Sequence, residues 1–201
     1  MRGVCFSVIR CPTVSGTIRA FLSINIENHD LLAGLKRLQD QLDKDAAKLK
    51  LVEENNIHFT LRFFGDVSYS HVEKIENCLD SVHFDEFTTD VYGVGAFPTN
   101  RKPRVIWVGL RENEKLMVEL KSQIDECLKT IGHKRERRAY TPHATIARVR
   151  RVYDRDRLGM NLDSLSETEI GMMTVNEFTL MKSTLTPSGP IYDVIWRKRA
   201  E

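Results

Sequence analysis

One tetrapeptide pattern occurs twice in this chain, as His58-Phe59-Thr60-Leu61 and as His143-Ala144-Thr145-Ile146. Alternate side chains of a β-strand share a face, so each motif presents an imidazole and a hydroxyl to one surface. Phe59, Leu61, Ala144 and Ile146 turn to the other. If the two strands face one another across a cleft, that cleft holds two histidines able to act as acid and base. It also holds two hydroxyls, Thr60 and Thr145, able to hold phosphate oxygens. Such chemistry requires no metal. Chance gives two matches of this kind among six histidines about once in a hundred sequences. A lone match reads as a polar residue on a half-exposed strand, and the duplication reverses that reading.

The elements around the motifs must place them. The run 17–26 reads as a strand, and Asn28 caps a following helix whose face carries Leu31, Leu35, Leu38, Leu42 and Leu49. In the segment 57–64, Ile57, Phe59, Leu61 and Phe63 alternate with His58, Thr60 and Arg62, which sets the first motif on a half-buried strand. Ser70 and Glu73 form a capping-box pattern for a second helix lined by Val72, Ile75, Leu79 and Val82. Strands follow at 88–94 and 104–110, with Trp107 assigned to the core ahead of base stacking.

A third helix, with Leu116, Leu120, Ile124, Leu128 and Ile131 on its apolar face, stops at Gly132, and Pro142 sets an extended approach to His143. A short helix at 154–165, a strand at 175–181 and a strand at 191–196 after the turn Pro187-Ser188-Gly189-Pro190 close the chain. Strand, helix and motif strand thus occur twice. The order predicts an α+β protein with a bilobed duplicated fold, two antiparallel or mixed sheets flanked by helices, and a central groove.

At 201 residues, 41% hydrophobic and 29% charged, the composition is that of a globular chain of one compact unit or two small lobes. Residues 1–16 lack a signal-peptide pattern and are read as a leader outside the fold, leaving 17–201 as one domain, a monomer by default. No apolar run reaches the length of a membrane span. Cys5, Cys11, Cys78 and Cys127 show no CxxC pairing and fit reduced, unpaired thiols in a cytoplasm. A zinc site is disfavoured, since neither motif brings a carboxylate or thiol at ligand spacing. His29, His71, His83 and His133 read as surface or helix-terminal residues.

The net charge of +2 says little, but basic residues crowd the second motif: Lys134, Arg135, Arg137 and Arg138 before it, Arg148, Arg150, Arg151, Arg155 and Arg157 after. A cluster like that concentrates phosphate-bearing ligands, or is a solvated arginine-rich surface. Strict alternation puts Arg148 on the face of Ala144 and Ile146, away from the histidines unless a bulge intervenes, so it stays outside the predicted site. Arg62 shares the face of His58 and reaches the groove's rim.

The motifs and their surroundings resemble the two-histidine (2H) phosphoesterase superfamily. The closest likeness is to the bacterial and archaeal RNA 2',3'-cyclic phosphodiesterases once called 2'-5' RNA ligases. The resemblance runs from about Arg19 to the C-terminus, through HFTLRFFGDV, GVGAFP with RVIWVGL, TPHATIARVR and STLTPSGPIYDVI in that order. Ile146 stands where the family more commonly has Leu, and the leader is absent from the family pattern. The resemblance implies two lobes around a pseudo-twofold axis and hydrolysis of a 2',3'-cyclic phosphate to a 2'-phosphate without a cofactor. It makes His58 the proton donor to the leaving 3'-oxygen and His143 the acceptor that activates water, with Thr60 and Thr145 holding non-bridging oxygens.

The substrates so implied are RNA ends or tRNA fragments bearing a 2',3'-cyclic phosphate, and nucleoside 2',3'-cyclic phosphates. Reversal gives 2'-5' ligation. Two alternatives stay open: a related 2H enzyme acting on another phosphodiester, such as ADP-ribose 1'',2''-cyclic phosphate or a 2'-5' oligoadenylate, and a noncatalytic RNA-binding protein.

Overall fold

In the computed structural model, which describes residues 16–187 and 189–201, all nine strands belong to one curled, antiparallel sheet. In chain order the elements are β1 (Thr17–Asn25), α1 (His29–Gln41), β2 (Ala47–Leu51), a 3-10 turn at Glu54–Asn56, β3 (His58–Ser68) and α2 (Tyr69–Leu79). They continue with β4 (Phe87–Phe97), β5 (Val105–Leu110), α3 (Glu114–Thr130), β6 (Ala144–Val152), α4 (Arg155–Ser164), β7 (Glu169–Val175), β8 (Glu177–Leu185) and β9 (Pro190–Arg199). The sheet runs β7-β4-β5-β6-β3-β1-β8-β9, with β2 added on β6. Its two halves meet at the pairing of Phe59 with Ala144, which is where the two motifs lie side by side. The duplicated, bilobed α+β architecture expected from the repeated element order is therefore present, but the two sheets expected are one, because the Phe59–Ala144 pairing joins β3 to β6. The proposed leader, apart from Gly16, and Ser188 of the expected closing turn lie outside the described residues; Thr186 and Gly189 exchange backbone hydrogen bonds across that turn.

Local signals explain most boundaries. Asn28 caps α1 through its side-chain oxygen, which accepts from the Asp30 and Leu31 amides. The cap of α2 is Ser68, two residues before the expected Ser70, because the Ser68 hydroxyl is the one that accepts from the His71 amide. On α3 the buried stripe uses Met117 while Leu116 is exposed. Gly132, at φ +93°, stops the chain behind it where a Cβ would be strained.

Leu49 is a correction to the helical reading. Asp43 accepts from the Asp45 and Ala46 amides and turns the chain, so 47–51 becomes a strand with Leu49 and Leu51 toward the core and Lys48 and Lys50 outward. The strand β7 was missed for a similar reason: Glu169 to Val175 offers one short, partly exposed run with a glycine inside it. Buried side chains from both halves form one continuous core that includes Phe59, Leu61, Ala144 and Ile146. At about 25 cal/mol per Å2, fully burying each large member of that set contributes roughly 1.5–3 kcal/mol. That burial holds the motif strands face-down and leaves the alternate residues facing out.

The thiol reading also changes. Helices α2 and α3 pack together, which brings Cys78 and Cys127 face to face in a disulfide with Cα atoms 5.9 Å apart, within the usual bridging range. Nothing in a 49-residue separation shows such a meeting in advance. Cys5 and Cys11 lie outside the described residues.

Candidate active site

Both motif strands carry a bulge at the same place. Ser23 pairs with Thr60 and Leu22 with Arg62, so Leu61 is the extra residue on β3; Trp107 pairs with Thr145 and Ile106 with Ala147, so Ile146 is the extra residue on β6. Two consecutive side chains then point toward the core, and the alternation beyond them is inverted. As a result Arg62 and Ala147 turn inward, whereas Phe63 and Arg148 come out on the side of the histidines. Gln39, itself buried on α1, fixes the second bulge by donating to the carbonyls of Ile146 and Val52, both at 2.8 Å.

Arg62 therefore does not reach the groove's rim. Arg62 is 8% exposed; its guanidinium lies 3.2 Å from Asp125 and donates to the Lys134 carbonyl at 2.5 Å. Lys121 shares Asp125 and Glu136 in the same buried network. Removing one member of such a pair leaves a buried charge uncompensated, at a cost of about 3–5 kcal/mol. Its role is to hold α3 and the following loop against β3. Arg148 takes the position in the groove that strict alternation denied it.

The groove on the other face has a volume of about 500 Å3 and is lined by both histidines, both threonines and side chains from each half. The imidazoles are held alike. His58 Nδ1 lies 2.8 Å from the Asn56 carbonyl and His143 Nδ1 lies 2.8 Å from the Thr141 carbonyl. A carbonyl only accepts, so Nδ1 carries the proton in each ring and Nε2 is left to take or give one. Asn56 is set by the 3-10 turn and by its amide donating to the Pro190 carbonyl, while Pro142 keeps Thr141 extended. The Thr60 and Thr145 hydroxyls have no hydrogen-bond partner among the described residues.

Aromatic rings wall the two imidazoles. His58 packs against Phe21 and edge-on to Tyr192; His143 packs edge-on to Phe97, with Trp107 behind it. Trp107 is thus not a core residue. It lies across Gly95, where an added Cβ would come within 2.3 Å of the ring, so only glycine leaves room for the indole that stands edge-on to His143. Arg19, Lys50, Arg148 and Arg150 add positive charge to the groove lining, opposed there by the carboxylate of Glu53. Burial pushes the His58 imidazole down to about 4; the Asn56 carbonyl acts against that shift, and His143 and Arg148 reinforce it. With no anion present, His58 is neutral at pH 7.

The predicted site residues His58, Thr60, His143 and Thr145 are therefore brought together. The sequence reading missed Phe63, Phe97, Tyr192, Arg19, Lys50 and Arg148, and the only available signal was the reservation about a bulge at Arg148. The remaining histidines sit elsewhere: His71 and His133 bond each other through Nε2 at 2.9 Å, and His83 contacts Glu201. Among the described residues no group of three or more His, Cys, Asp or Glu side chains could hold a metal ion, and no helix is long and apolar enough to cross a membrane.

The chain is matched twice by the family model described as LigT like Phosphoesterase, over residues 26–107 and 108–192, one match for each half of the duplication. It is 38% identical over 177 residues to the RNA 2',3'-cyclic phosphodiesterase of Methanothermobacter thermautotrophicus, covering 87% of this chain and 95% of that protein. To the RNA 2',3'-cyclic phosphodiesterase of Aeropyrum pernix it is 32% identical over 170 residues, covering 85% and 97%. Its fold is similar to the crystal structure of E. coli LigT, with a TM-score of 0.73 at 20% identity over 92% of this chain and 99% of that one.

Proposed function

The chain belongs to the LigT-like phosphoesterase family, and from that premise we propose that it hydrolyses RNA-terminal and nucleoside 2',3'-cyclic phosphates to 2'-phosphates. The reading takes 17–201 as one bilobed unit. What carries it is the matched pair of imidazoles, each pinned through Nδ1 to a carbonyl two residues upstream, which share a cationic groove with two threonine hydroxyls that have no partner among the described residues.

His143 Nε2 accepts a proton from water as the water oxygen attacks phosphorus. His58 Nε2 gives a proton to the departing 3'-oxygen as the bond from phosphorus to that oxygen breaks. The Thr60 and Thr145 hydroxyls and the Arg148 guanidinium stabilise the charge that builds on the non-bridging oxygens. With an RNA 5'-hydroxyl in place of water as the nucleophile, His143 takes the hydroxyl proton as the 5'-oxygen bonds to phosphorus and His58 again protonates the departing 3'-oxygen, which leaves a 2'-5' linkage; abundant water competes and favours hydrolysis. The reading is tested by turnover of a 2',3'-cyclic nucleotide in EDTA, expected to be undiminished; activity that depends on an added divalent ion contradicts it.

The depressed basicity of the buried His58 imidazole sets a condition on its role as acid. The negative charge of the cyclic phosphate favours the imidazolium, so protonation of His58 is coupled to substrate binding. The sign follows: the free group titrates near 4 and the complexed group higher, so between those values binding takes up a proton, and affinity rises as pH falls through the complexed value. A 2',3'-cyclic nucleotide has no titrating phosphate there. Titration calorimetry of the His143→Ala protein in two buffers of different ionisation enthalpy is expected to show proton uptake at pH 5–6. Its absence favours the exchanged assignment, with His58 as the base.

A further inference from the structure

Beside the groove, strands β2 and β6 form a two-stranded ribbon whose outer face sets like charges directly against each other. Lys50 is opposite Arg148, and Lys48 is opposite Arg151. Arg150 falls in the register shift between Lys48 and Leu49, and it too lines the groove. The other face of the ribbon is ordinary: Leu49, Leu51 and Val149 pack on the core. Like charges directly opposite on one sheet face oppose strand pairing. Among the described residues, Lys48, Arg148, Arg150 and Arg151 have no carboxylate partner, in contrast to Arg157 nearby, which is bound by Asp43 and Asp45. At the far end Tyr153 is 57% exposed, with the Arg151 guanidinium 5.6 Å from its ring centre.

Resting on the function proposed above, we infer that this ribbon is the track for the RNA strand leading to the cyclic end. Arg148 and Arg150 take phosphates next to the reacting one, Lys48 and Arg151 take those further back, and Tyr153 offers a face on which a base stacks. Three features fit a single-stranded polyanion with bases. The cations continue without a gap from the groove, they extend about 10 Å along the strand from Arg148 to Arg151 at 3.3–3.4 Å per residue, and they end at an exposed aromatic. The basic cluster seen in the sequence is thereby divided: the part on β6 binds RNA, while Arg157 is tied down by carboxylates.

The test uses Lys48→Gln with Arg151→Gln, two residues outside the groove lining, and a control with the same loss of charge on distant helices, Lys36→Gln with Lys129→Gln. For an RNA oligonucleotide ending in a 2',3'-cyclic phosphate, the ribbon variant is expected to raise KM about tenfold or more at 100 mM salt with kcat unchanged. The slope of log KM against log salt should fall by about 1.4, at 0.7 for each single-strand phosphate contact. Turnover of a cyclic mononucleotide, and the control variant on both substrates, should not change. An unchanged slope for the oligonucleotide, or an equal loss on the mononucleotide, overturns the track. The same variants are titrated by fluorescence anisotropy with an RNA oligonucleotide ending in a 3'-hydroxyl. That readout separates the two claims: lost affinity there supports the track even where no cyclic phosphate is hydrolysed. Equal weakening for an acidic peptide shows a nonspecific basic face and overturns it.

Discussion

His143→Ala and His58→Ala should each lower kcat for a 2',3'-cyclic phosphate by about 10^2–10^4-fold while leaving RNA affinity nearly intact. The magnitude is that of general acid–base catalysis, and the geometry says why neither histidine can stand in for the other. Each imidazole is locked by a bond from Nδ1 to a carbonyl, Asn56 for one and Thr141 for the other, so Nε2 of each has one direction in which to exchange a proton. Losing one ring removes either the activation of water or the proton for the leaving oxygen. On the proposed roles, the threonines and Arg148 still hold the substrate. A double variant should therefore be little worse than the worse single one, since groups that act as a unit are not additive. Equal loss of binding and turnover in the single variants would instead make the histidines part of a recognition surface, as in a noncatalytic RNA-binding protein.

The second large effect belongs to the hydroxyls. Thr60→Val and Thr145→Val keep the shape and the strand preference of the side chain and remove only the donor. Each should cost about 10^2–10^3-fold in kcat, the range for one positioned donor at a developing negative charge, and Thr→Ser at either position should restore most of it. Both hydroxyls are without a partner among the described residues, so valine there leaves no buried group unsatisfied and stability should hold within about 0.5 kcal/mol. A loss confined to KM would mean that the threonines bind the ground-state phosphate and its transition state equally well.

The parts of this molecule legible in the sequence are those governed by simple periods. Alternation over 58–61 and 143–146 put His58, Thr60, His143 and Thr145 on the groove face because, up to the fourth residue, each motif strand is regular. Past that residue the paired bulges at Leu61 and Ile146 exchange the faces. Phe63 and Arg148 then enter the groove, and Arg62 goes into a buried ion-pair network that no pattern of alternation contains. A bulge depends on the register of the neighbouring strand, which is a tertiary fact. Leu49 failed differently, by falling in phase with the leucines of α1 although the Asp43 turn intervenes. The aromatic walls around the histidines come from β1, β4, β5 and β9, which only the folded sheet brings beside β3 and β6. Cys78 and Cys127 meet through helix packing and not through spacing.

The measurement closest to the central claim is the position of the phosphate in the product. Purified protein is incubated with a 2',3'-cyclic nucleotide in EDTA, and the product is resolved by phosphorus NMR for the native chain and for His58→Ala and His143→Ala. A 2'-phosphate formed by the native protein and by neither variant is the predicted result. A 3'-phosphate, or a 2'-phosphate that either variant still forms at the native rate, contradicts the assignment of these two histidines as the acid and base of the reaction.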